Sequence, residues 1–148
     1  MSVPAVIFDM DGTLADVRGI RHYVTGKDRN FHKFHTEGVN CPPNREVVEW
    51  AKFYHWSGFK ILIVTAREFR YAFHTMFWLS LNGVQYDELY MRRNKDYRED
   101  GIIKREILEL IRNDGYRVVH AWDDNPNVIK VWQSEGIPVT VVEGYGFD

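Results

Sequence analysis

Short runs of β-branched residues, separated by longer helical segments, constrain the fold of this 148-residue chain more than any other feature. Four runs are clear, AVIF (5–8), KILIVT (60–65), RVVHAW (117–122) and IPVTVV (137–142), and a weaker fifth is ELYM (88–91). Ile, Val and Thr suit the pleated, buried surface of a strand. Because the runs are apolar almost throughout, they predict strands of a parallel sheet that is covered on both faces.

Helical segments lie between these strands, at 45–58, 68–83, 99–115 and 126–135. The first places apolar residues three to four positions apart, the spacing of one helix face. The second is apolar enough to predict a buried helix. In the last, Asn125 and Pro126 suit a capped helix start. Strands that alternate with helices indicate an α/β fold with a doubly wound parallel sheet of about five strands. Ligands bind such sheets outside the carboxyl ends of the strands.

Residues 16–43 depart from this alternation. The segment has no clear periodicity and is too long for a plain connection. It contains five Lys/Arg, three Asp/Glu and three His residues. The spacing of its histidines, with Cys41 further on, does not match a closed zinc site. We expect a small lid, inserted after the first strand within a single domain of residues 1–148.

Charge and cysteine content limit the function classes. With 19 Lys+Arg and 21 Asp+Glu, the net charge of −2 gives no global signal for nucleic acid or membranes. The single cysteine, Cys41, allows no intrachain disulfide, which fits a reducing compartment. No apolar stretch approaches the roughly 18–20 residues of a membrane span, and the N-terminus has no signal-peptide pattern. We therefore expect a cytoplasmic protein.

Polar residues follow the predicted strands at the edge where parallel strands end. Asp9 and Asp11 follow the first strand, and Thr65 and Arg67 follow the second. The others are Arg92 and Arg93 after the weak strand, Lys104 in the next helix, and Asp123, Asp124 and Asn125 after the fourth strand. We expect these carboxylates, the hydroxyl and the cations to converge at one edge of the sheet.

Carboxylates crowded at one edge repel one another, and a hard divalent cation relieves that repulsion. Mg²⁺ prefers oxygen ligands and keeps several waters. Together with a lysine it makes a positively charged cradle, whose natural ligand is a phosphoryl group. The pattern of residues at the strand ends therefore indicates Mg²⁺ and phosphoryl chemistry.

The stretch FDMDGT offers the groups needed for covalent catalysis. A carboxylate can attack phosphorus and form an aspartyl-phosphate, which splits one difficult displacement into two easier steps. The second aspartate, two residues on, can protonate the leaving oxygen and later activate water. Gly12, followed by Thr13, allows a tight turn whose amide N–H groups face the phosphate.

FDMDGTLAD resembles the first motif of the haloacid dehalogenase (HAD) superfamily of phosphatases, Asp-x-Asp-Gly-Thr. VTAR resembles the second motif, Lys104 matches the third, and AWDDNPNV resembles the fourth. All four stand in the order of the superfamily and span residues 5–142. The resemblance implies a Rossmann-like fold and a magnesium-dependent phosphatase that forms an aspartyl-phosphate.

The stretches YMRRNKDYREDGIIKREIL and HAWDDNPNVIKVWQSEGI, with Thr-Ala-Arg at the second motif, narrow the resemblance to the 3′-phosphatase domain of bacteriophage-type polynucleotide kinase. That family removes 3′-phosphates from DNA or RNA ends in nucleic acid repair, and acts on 3′-nucleotides. The sequence has no Gly-x-x-x-x-Gly-Lys-Ser/Thr phosphate loop of a kinase. We expect either a phosphatase that stands alone, which the start at Met1 favours, or one whose kinase domain lies outside this sequence.

The resemblance implies a role for each matching residue. Asp9 would be the nucleophile and a metal ligand, and Asp11 the general acid and base, with its carbonyl on the metal. Lys104 would neutralise the nucleophile and the phosphate oxygens. Asp124 would bind the metal directly, and Asp123 would bind it through water or from a second shell, although their order is open.

The remaining matches concern the phosphate and the rest of the substrate. Thr65 would hydrogen-bond the transferring phosphoryl group, and Gly12 and Thr13 would shape its binding turn. Arg67 and Arg92 would hold the phosphate or the nucleic acid end, with Arg93 as the alternative to Arg92. Arginines between 92 and 98 are also typical of an ordinary charged surface, paired with neighbouring acids at little gain in stability.

Two other functions fit the same residues. A small-molecule phosphatase or nucleotidase of the superfamily would use identical machinery, and only the lid and the arginines would differ. A catalytically silent nucleic-acid-binding module would keep the fold without the reaction. The intact set of motif residues favours an enzyme over the silent module.

Overall fold

The structure is a computed structural model that describes residues 2–25, 27 and 29–144. It contains a five-stranded parallel sheet in the order β3-β2-β1-β4-β5. The strands are β1 (Val3–Phe8), β2 (Lys60–Glu68), β3 (Glu88–Arg92), β4 (Tyr116–Asp123) and β5 (Val139–Val141). The helices are α1 (Phe31–Glu37), α2 (Arg45–Trp56), α3 (Ala72–Leu81), α4 (Asp100–Asn113) and α5 (Pro126–Ser134). The predicted doubly wound α/β fold is confirmed.

The two faces of the sheet carry different helices because neighbouring residues of a strand point to opposite sides. Val6 and Phe8 of β1 pack in a cluster with residues of α2 and α3. Ala5 and Ile7 of the same strand pack in a second cluster with residues of α4 and α5. The central strands are therefore buried on both faces, as their continuous apolar runs predict.

The start of α5 follows the sequence prediction in detail. The Asn125 side chain accepts a hydrogen bond from the Asn127 amide at 3.0 Å, and Pro126 occupies the first helical turn. This capped start follows directly after the acidic end of β4, so it fixes the direction in which the chain leaves Asp123 and Asp124.

The prediction that 68–83 is a buried helix was wrong for one face of α3. Thr75, Trp78 and Leu79 are buried, but Phe73 is 84% exposed and Phe77 is 57% exposed. The helix packs against one face of the sheet, so only side chains three to four positions apart reach the core. The apolar side chains on its other face remain in solvent.

The described part of segment 16–43 contains α1 and two short 3-10 helices, Arg21–Tyr23 and Gly38–Asn40, that the sequence did not predict. Asn30 caps α1 by accepting from the Lys33 amide at 2.9 Å. The ends of the segment are held together, since the Asp16 amide donates to the Pro42 carbonyl at 2.8 Å. Within it, the Cys41 carbonyl accepts from Trp78 Nε1 at 2.8 Å, which ties the segment to α3.

Among the helices in the described ranges, none combines the length and the apolar character needed to cross a membrane.

Candidate active site

The carboxyl ends of β1 to β4 open into one cleft of about 760 Å³. Eight predicted site residues line it: Asp9, Asp11, Thr65, Arg67, Arg92, Lys104, Asp123 and Asp124. We call Asp9, Asp11, Thr65, Lys104, Asp123 and Asp124 the floor of the cleft. We call the cleft-lining residues of 16–43, 68–70 and 93–99 its rim. Gly12 and Thr13 lie against the floor carboxylates, whereas Arg93 is exposed and does not line the cleft.

Strand register brings the two acidic pairs together. Phe8 pairs with Trp122, and the Asp9 amide donates to the Trp122 carbonyl at 3.1 Å. The residues that follow β1 and β4 therefore leave the sheet side by side. Carboxylates more than 110 positions apart in sequence consequently share one site: Thr13 Oγ1 lies 3.0 Å from Asp9 Oδ2 and 3.5 Å from Asp124 Oδ1.

Lys104 is the central cation of the floor. Its Nζ donates to Asp9 Oδ1 and to Asp123 Oδ2, both at 2.9 Å, and the lysine is only 2% exposed. Burial alone would lower the pKa of Lys104, but the charges of Asp123 and Asp9 raise it above its ordinary value. Lys104 lies on the buried face of the amphipathic helix α4. A buried lysine is rare unless it is paired, and here carboxylates take the place of water.

Three carboxylates of the floor lie close enough to hold one ion. Asp9, Asp123 and Asp124 each offer an oxygen, and these oxygens lie within 4.8 Å of one another. Burial, followed by the charge of Asp123, raises the pKa of Asp9 well above its ordinary value, although Lys104 opposes the rise. Burial is also the main cause that raises the pKa of Asp124 to about 6. One lysine thus leaves negative charge in excess, which a bound cation would relieve.

The two aspartates at the end of β4 are engaged very differently. Asp123 Oδ2 accepts from Lys104 and from Trp132 Nε1, the latter at 3.3 Å. Its Oδ1 accepts from the amides of Asp124 and Asn125, at 2.9 and 3.1 Å. Asp124 receives a long contact of 3.5 Å from the Thr13 hydroxyl. Asp124 therefore has oxygen lone pairs available for a ligand, whereas those of Asp123 are largely occupied.

Asp11 points away from the other carboxylates and pairs with Arg67. Arg67 Nε donates to Asp11 Oδ2 at 2.8 Å, and Nη2 donates to Oδ1. Burial raises the pKa of Asp11, but the charge and hydrogen bonds of Arg67 outweigh it and hold the pKa below its ordinary value. Asp11 is therefore a carboxylate in this arrangement.

An irregularity in β2 aims Arg67 inward. Thr65 pairs with Met91, and the next pair is Glu68 with Arg92, so two residues of β2 stand between them without ladder partners. Such bulges re-aim side chains at the ends of strands. Here the Arg67 guanidinium is buried, where Nη1 donates to Thr75 Oγ1 at 3.1 Å.

Gly12 allows the turn that follows β1 to pass close to Asp124. Its φ of +80° favours glycine, and a Cβ at this position would lie 2.0 Å from Asp124 Oδ2. The turn is closed by a hydrogen bond from the Gly12 amide to the Ala15 carbonyl at 2.9 Å. Glycine is therefore required both by the backbone and by the carboxylate beside it.

Arg92 reaches the cleft, but most of its donors bind the protein itself. Nε donates to the Ala66 carbonyl at 2.8 Å, and Nη1 donates to the carbonyls of Asp96 and Arg98 at 2.7 and 2.6 Å. Nη2 donates to Asp100 Oδ1 at 2.6 Å. In this arrangement Arg92 organises the loop after β3, and little of its guanidinium is left for a phosphate.

Two kinds of residue in or behind the cleft escape sequence reasoning. One is Trp132, whose indole N–H holds Asp123 and which looks like an ordinary core residue of an amphipathic helix. The other is the pair of rim aromatics, Phe31 and Tyr97. An irregular segment gives no periodicity from which its inward side chains could be found, so the sequence offers no signal for them.

Residues 3–147 match the family model described as the polynucleotide kinase PNKP phosphatase domain. The chain belongs to this family. It is therefore a phosphatase of the HAD superfamily, as its four motifs predict. The match spans nearly the whole chain, so it includes all the residues of the floor.

Solved structures give the same relationship. A chain in the structure of the Pnkp1/Rnl/Hen1 RNA repair complex is 30% identical, with a TM-score of 0.83, over 95% of this chain and 42% of that chain. A second structure of the Pnkp1/Rnl/Hen1 complex gives 29% identity and a TM-score of 0.82, over 94% of this chain and 45% of that one. This chain thus spans less than half the length of these relatives.

More distant likenesses concern the fold alone. The class C acid phosphatase from Bacillus anthracis, solved with tungstate bound, is 12% identical, with a TM-score of 0.70 over 99% of this chain and 69% of that chain. At this level of identity the shared sheet and helices are comparable, whereas substrates are not.

Proposed function

We propose that this chain is a Mg²⁺-dependent phosphomonoesterase that acts through an aspartyl-phosphate on 3′-phosphates of nucleic acid ends or of 3′-nucleotides. The observation that carries the proposal is the buried arrangement of Lys104 between Asp9 and Asp123, with Asp124 in the same group of oxygens. A nucleophile, a cation and metal-ligating oxygens are thus together at the carboxyl edge of the sheet.

The floor fits a hard divalent cation. Carboxylate and carbonyl oxygens are the ligands that Mg²⁺ takes in phosphoryl-transfer sites. Asp9 and Asp124 would bind it directly, together with the backbone carbonyl of Asp11. Asp123, whose oxygens are occupied by four donors, would orient Lys104 and the start of α5 instead. When bound, the cation supplies positive charge that offsets the charge of the phosphoryl oxygens.

The residues of the chain account for both steps of hydrolysis. A carboxylate oxygen of Asp9 forms a bond to phosphorus as the bond from phosphorus to the leaving oxygen breaks, and Asp11 gives that oxygen a proton. In the second step Asp11 takes a proton from water, whose oxygen attacks phosphorus and releases Asp9. Because the ion pair with Arg67 favours the carboxylate form, Asp11 as found suits the second step, and the first requires that this pair be loosened.

The preference for 3′-phosphorylated nucleic acid is proposed from the family match and from the likeness to a chain of an RNA repair complex. We further propose that residues 1–148 form a single phosphatase domain, that 16–43 acts as its lid, and that the protein is cytoplasmic. A kinase domain, separate or on a longer polypeptide, would supply the complementary end chemistry.

A substrate panel tests the proposal. Release of phosphate is measured from 3′- and 5′-phosphorylated oligonucleotides of DNA and RNA, and from 3′- and 5′-mononucleotides, with Mg²⁺ and with excess chelator. We expect hydrolysis of 3′-phosphates only, and its loss with chelator. Equal turnover of 5′-phosphates would instead indicate a general nucleotidase. Oligonucleotide binding without turnover of any substrate would indicate a silent binding module.

The proton-transfer role of Asp11 has its own test. Asp11→Asn keeps the size of the side chain but cannot donate the proton. The loss of turnover should be large for a 3′-phosphorylated oligonucleotide, whose leaving group is a sugar hydroxyl, and small for an aryl phosphate with an acidic phenol. Equal losses on the two substrates would remove the proton-donor role.

A further inference from the structure

Two exposed aromatic rings belong to the rim of the cleft. Phe31, at the start of α1, is 54% exposed, and Tyr97, in the loop after β3, is 82% exposed. They come from segments more than sixty positions apart in sequence, and both line the cleft that contains the floor. Single exposed aromatics are common on protein surfaces, so their shared position at one cleft is the feature that requires an explanation.

The segment around Phe31 offers an anchored apolar surface. Phe34, one turn further along α1, is buried in the core and also lines the cleft. Val17 and Val24 add apolar surface to the same lining. Because Phe34 is packed in the core, α1 holds Phe31 in place at the mouth of the cleft, and the ring is presented on an anchored element.

Two of the three arginines that line the rim are paired with acids of the protein. Arg98 pairs with Asp96 at 2.8 Å and with Glu106 at 2.7 Å. Arg70 lies 3.4 Å from Glu68. Arg21 donates to the backbone carbonyl of Gly144. Because Arg98 and Arg70 are paired, a nucleic acid backbone meets limited uncompensated positive charge at the rim, where exposed aromatic rings are also available.

We propose that Phe31 and Tyr97 form a stacking subsite for nucleobases next to the 3′-phosphate. This inference rests on the proposed 3′-phosphatase function and adds what the enzyme recognises beyond the phosphate. Every base has a π-face, so stacking on aromatic side chains tolerates any sequence. The enzyme should accordingly prefer an end with an intact base and show no preference for the identity of that base. Its affinity should depend weakly on salt, because few backbone phosphates are bound.

The stacking subsite is tested by combining substitutions in the protein with a change in the terminal nucleotide of the substrate. Two oligonucleotides with a 3′-phosphate are compared, one with an ordinary terminal nucleotide and one with an abasic terminal nucleotide. We expect the wild-type enzyme to prefer the intact end by about tenfold in kcat/KM. Phe31→Ala or Tyr97→Ala should raise KM for the intact end about tenfold, leave kcat nearly unchanged, and leave the abasic substrate unaffected. Tyr97→Phe keeps the ring and should retain the preference.

Phe73→Ala is the matched control, because Phe73 is as exposed as Tyr97 but does not line the cleft. It should leave the kinetics of the two substrates at wild-type values. A second readout is salt: KM for the intact end should rise by less than about fivefold between 50 and 200 mM salt.

The outcomes separate this inference from the proposed function. Equal wild-type rates on intact and abasic ends, or Ala variants that slow the two substrates equally, would overturn the stacking subsite while leaving a 3′-phosphatase. A steep salt dependence would do the same, because it would assign recognition to backbone phosphates. Turnover of an aryl phosphate without turnover of either oligonucleotide would overturn the proposed function, and the subsite with it.

Discussion

The floor of the cleft is made mainly of buried side chains from the strand ends and from α4, whereas the rim is made of connecting segments with many exposed side chains. In the floor, three carboxylates share one lysine, so charge is left without a partner. In the rim, Arg98 and Arg70 are paired with acids of their own neighbourhood. The two regions therefore differ in whether the protein itself supplies partners for their charged groups.

This difference separates chemistry from recognition. An excess of buried negative charge destabilises the fold unless a ligand supplies the missing cation, so it is retained only where binding relieves it. Paired surface charges add little to stability or to binding. The floor thus depends on what it binds, and the rim can contribute mainly through shape and aromatic surface.

Asp9→Asn should have the largest effect, because it removes the proposed nucleophile of the floor together with a charge that pairs with Lys104 and would bind the metal. We expect kcat to fall at least about a thousandfold. The melting temperature should be kept or raised, since burial disfavours the charge of Asp9 and Asn removes that cost. Rates and melting curves are measured on the same preparation. Residual activity above a few per cent would mean that a water attacks phosphorus directly, without a covalent intermediate.

Gly12→Ala should damage the floor next most, through metal binding. Its Cβ would lie 2.0 Å from Asp124 Oδ2, so the carboxylate has to move. We expect the Mg²⁺ concentration for half-maximal activity to rise about 10- to 100-fold. Gly136→Ala is the control, because Gly136 has a similar φ of +77° and nothing within 4 Å of its Cβ position. Equal effects of the two variants would mean that backbone strain, and not Asp124, is responsible.

The floor was far more predictable from sequence than the rim. A buried parallel strand shows itself as a continuous apolar run, and the residue after it must lie at the carboxyl edge, so Asp9, Thr65 and Asp124 could be placed without coordinates. Motif order then singled out Lys104 within a helix whose two arginines, Arg105 and Arg112, are exposed. The structure brings these side chains together, and their catalytic roles remain predictions.

The hydrogen-bond partners of these residues could not be predicted, because hydrogen bonds between elements distant in sequence produce no periodic pattern in the sequence. The sequence does not show that Trp132 holds Asp123 or that Arg67 pairs with Asp11. The helix at 31–37 was likewise not predicted, since a seven-residue helix in an irregular segment has too few turns to produce a recognisable pattern. The exposed face of α3 was not predicted, because an apolar composition does not show whether a helix is packed on one face or on both.

Arg92 lies between the floor and the rim, and Arg92→Lys tests whether its role is to stabilise the fold or to bind the substrate. Lysine keeps the charge but cannot reach the carbonyls of Ala66, Asp96 and Arg98 together. We expect the free energy of unfolding to fall by about 1–3 kcal/mol, because partly buried acceptors lose their donor. Denaturant titration measures the loss. Arg93→Lys, at an exposed position, should change it by less than about 0.5 kcal/mol. A raised KM with unchanged stability would instead support the substrate role that the family resemblance implies.

His35 gives the smallest expected effect and tests how firmly the rim is folded against the floor. Burial lowers its pKa to about 4, although the charge of Asp11 opposes the change, and among the residues that the structure describes its Nδ1 has no hydrogen-bond partner. A histidine that is neutral when folded binds protons in the unfolded chain first, so its contribution to stability falls as the pH drops from about 6.5 towards 4.

Between pH 6.5 and 5, we expect this contribution to lower the free energy of unfolding by up to about 2 kcal/mol. His35→Gln removes it, so denaturant unfolding of wild type and variant at the two pH values should show a difference of that sign and size. Comparing the two proteins cancels the contributions of carboxylates such as Asp124, which titrate in the same range. Identical pH slopes would show that His35 is hydrated and that the rim opens readily, whereas a steeper wild-type slope would show that 16–43 is packed down over the floor even without substrate.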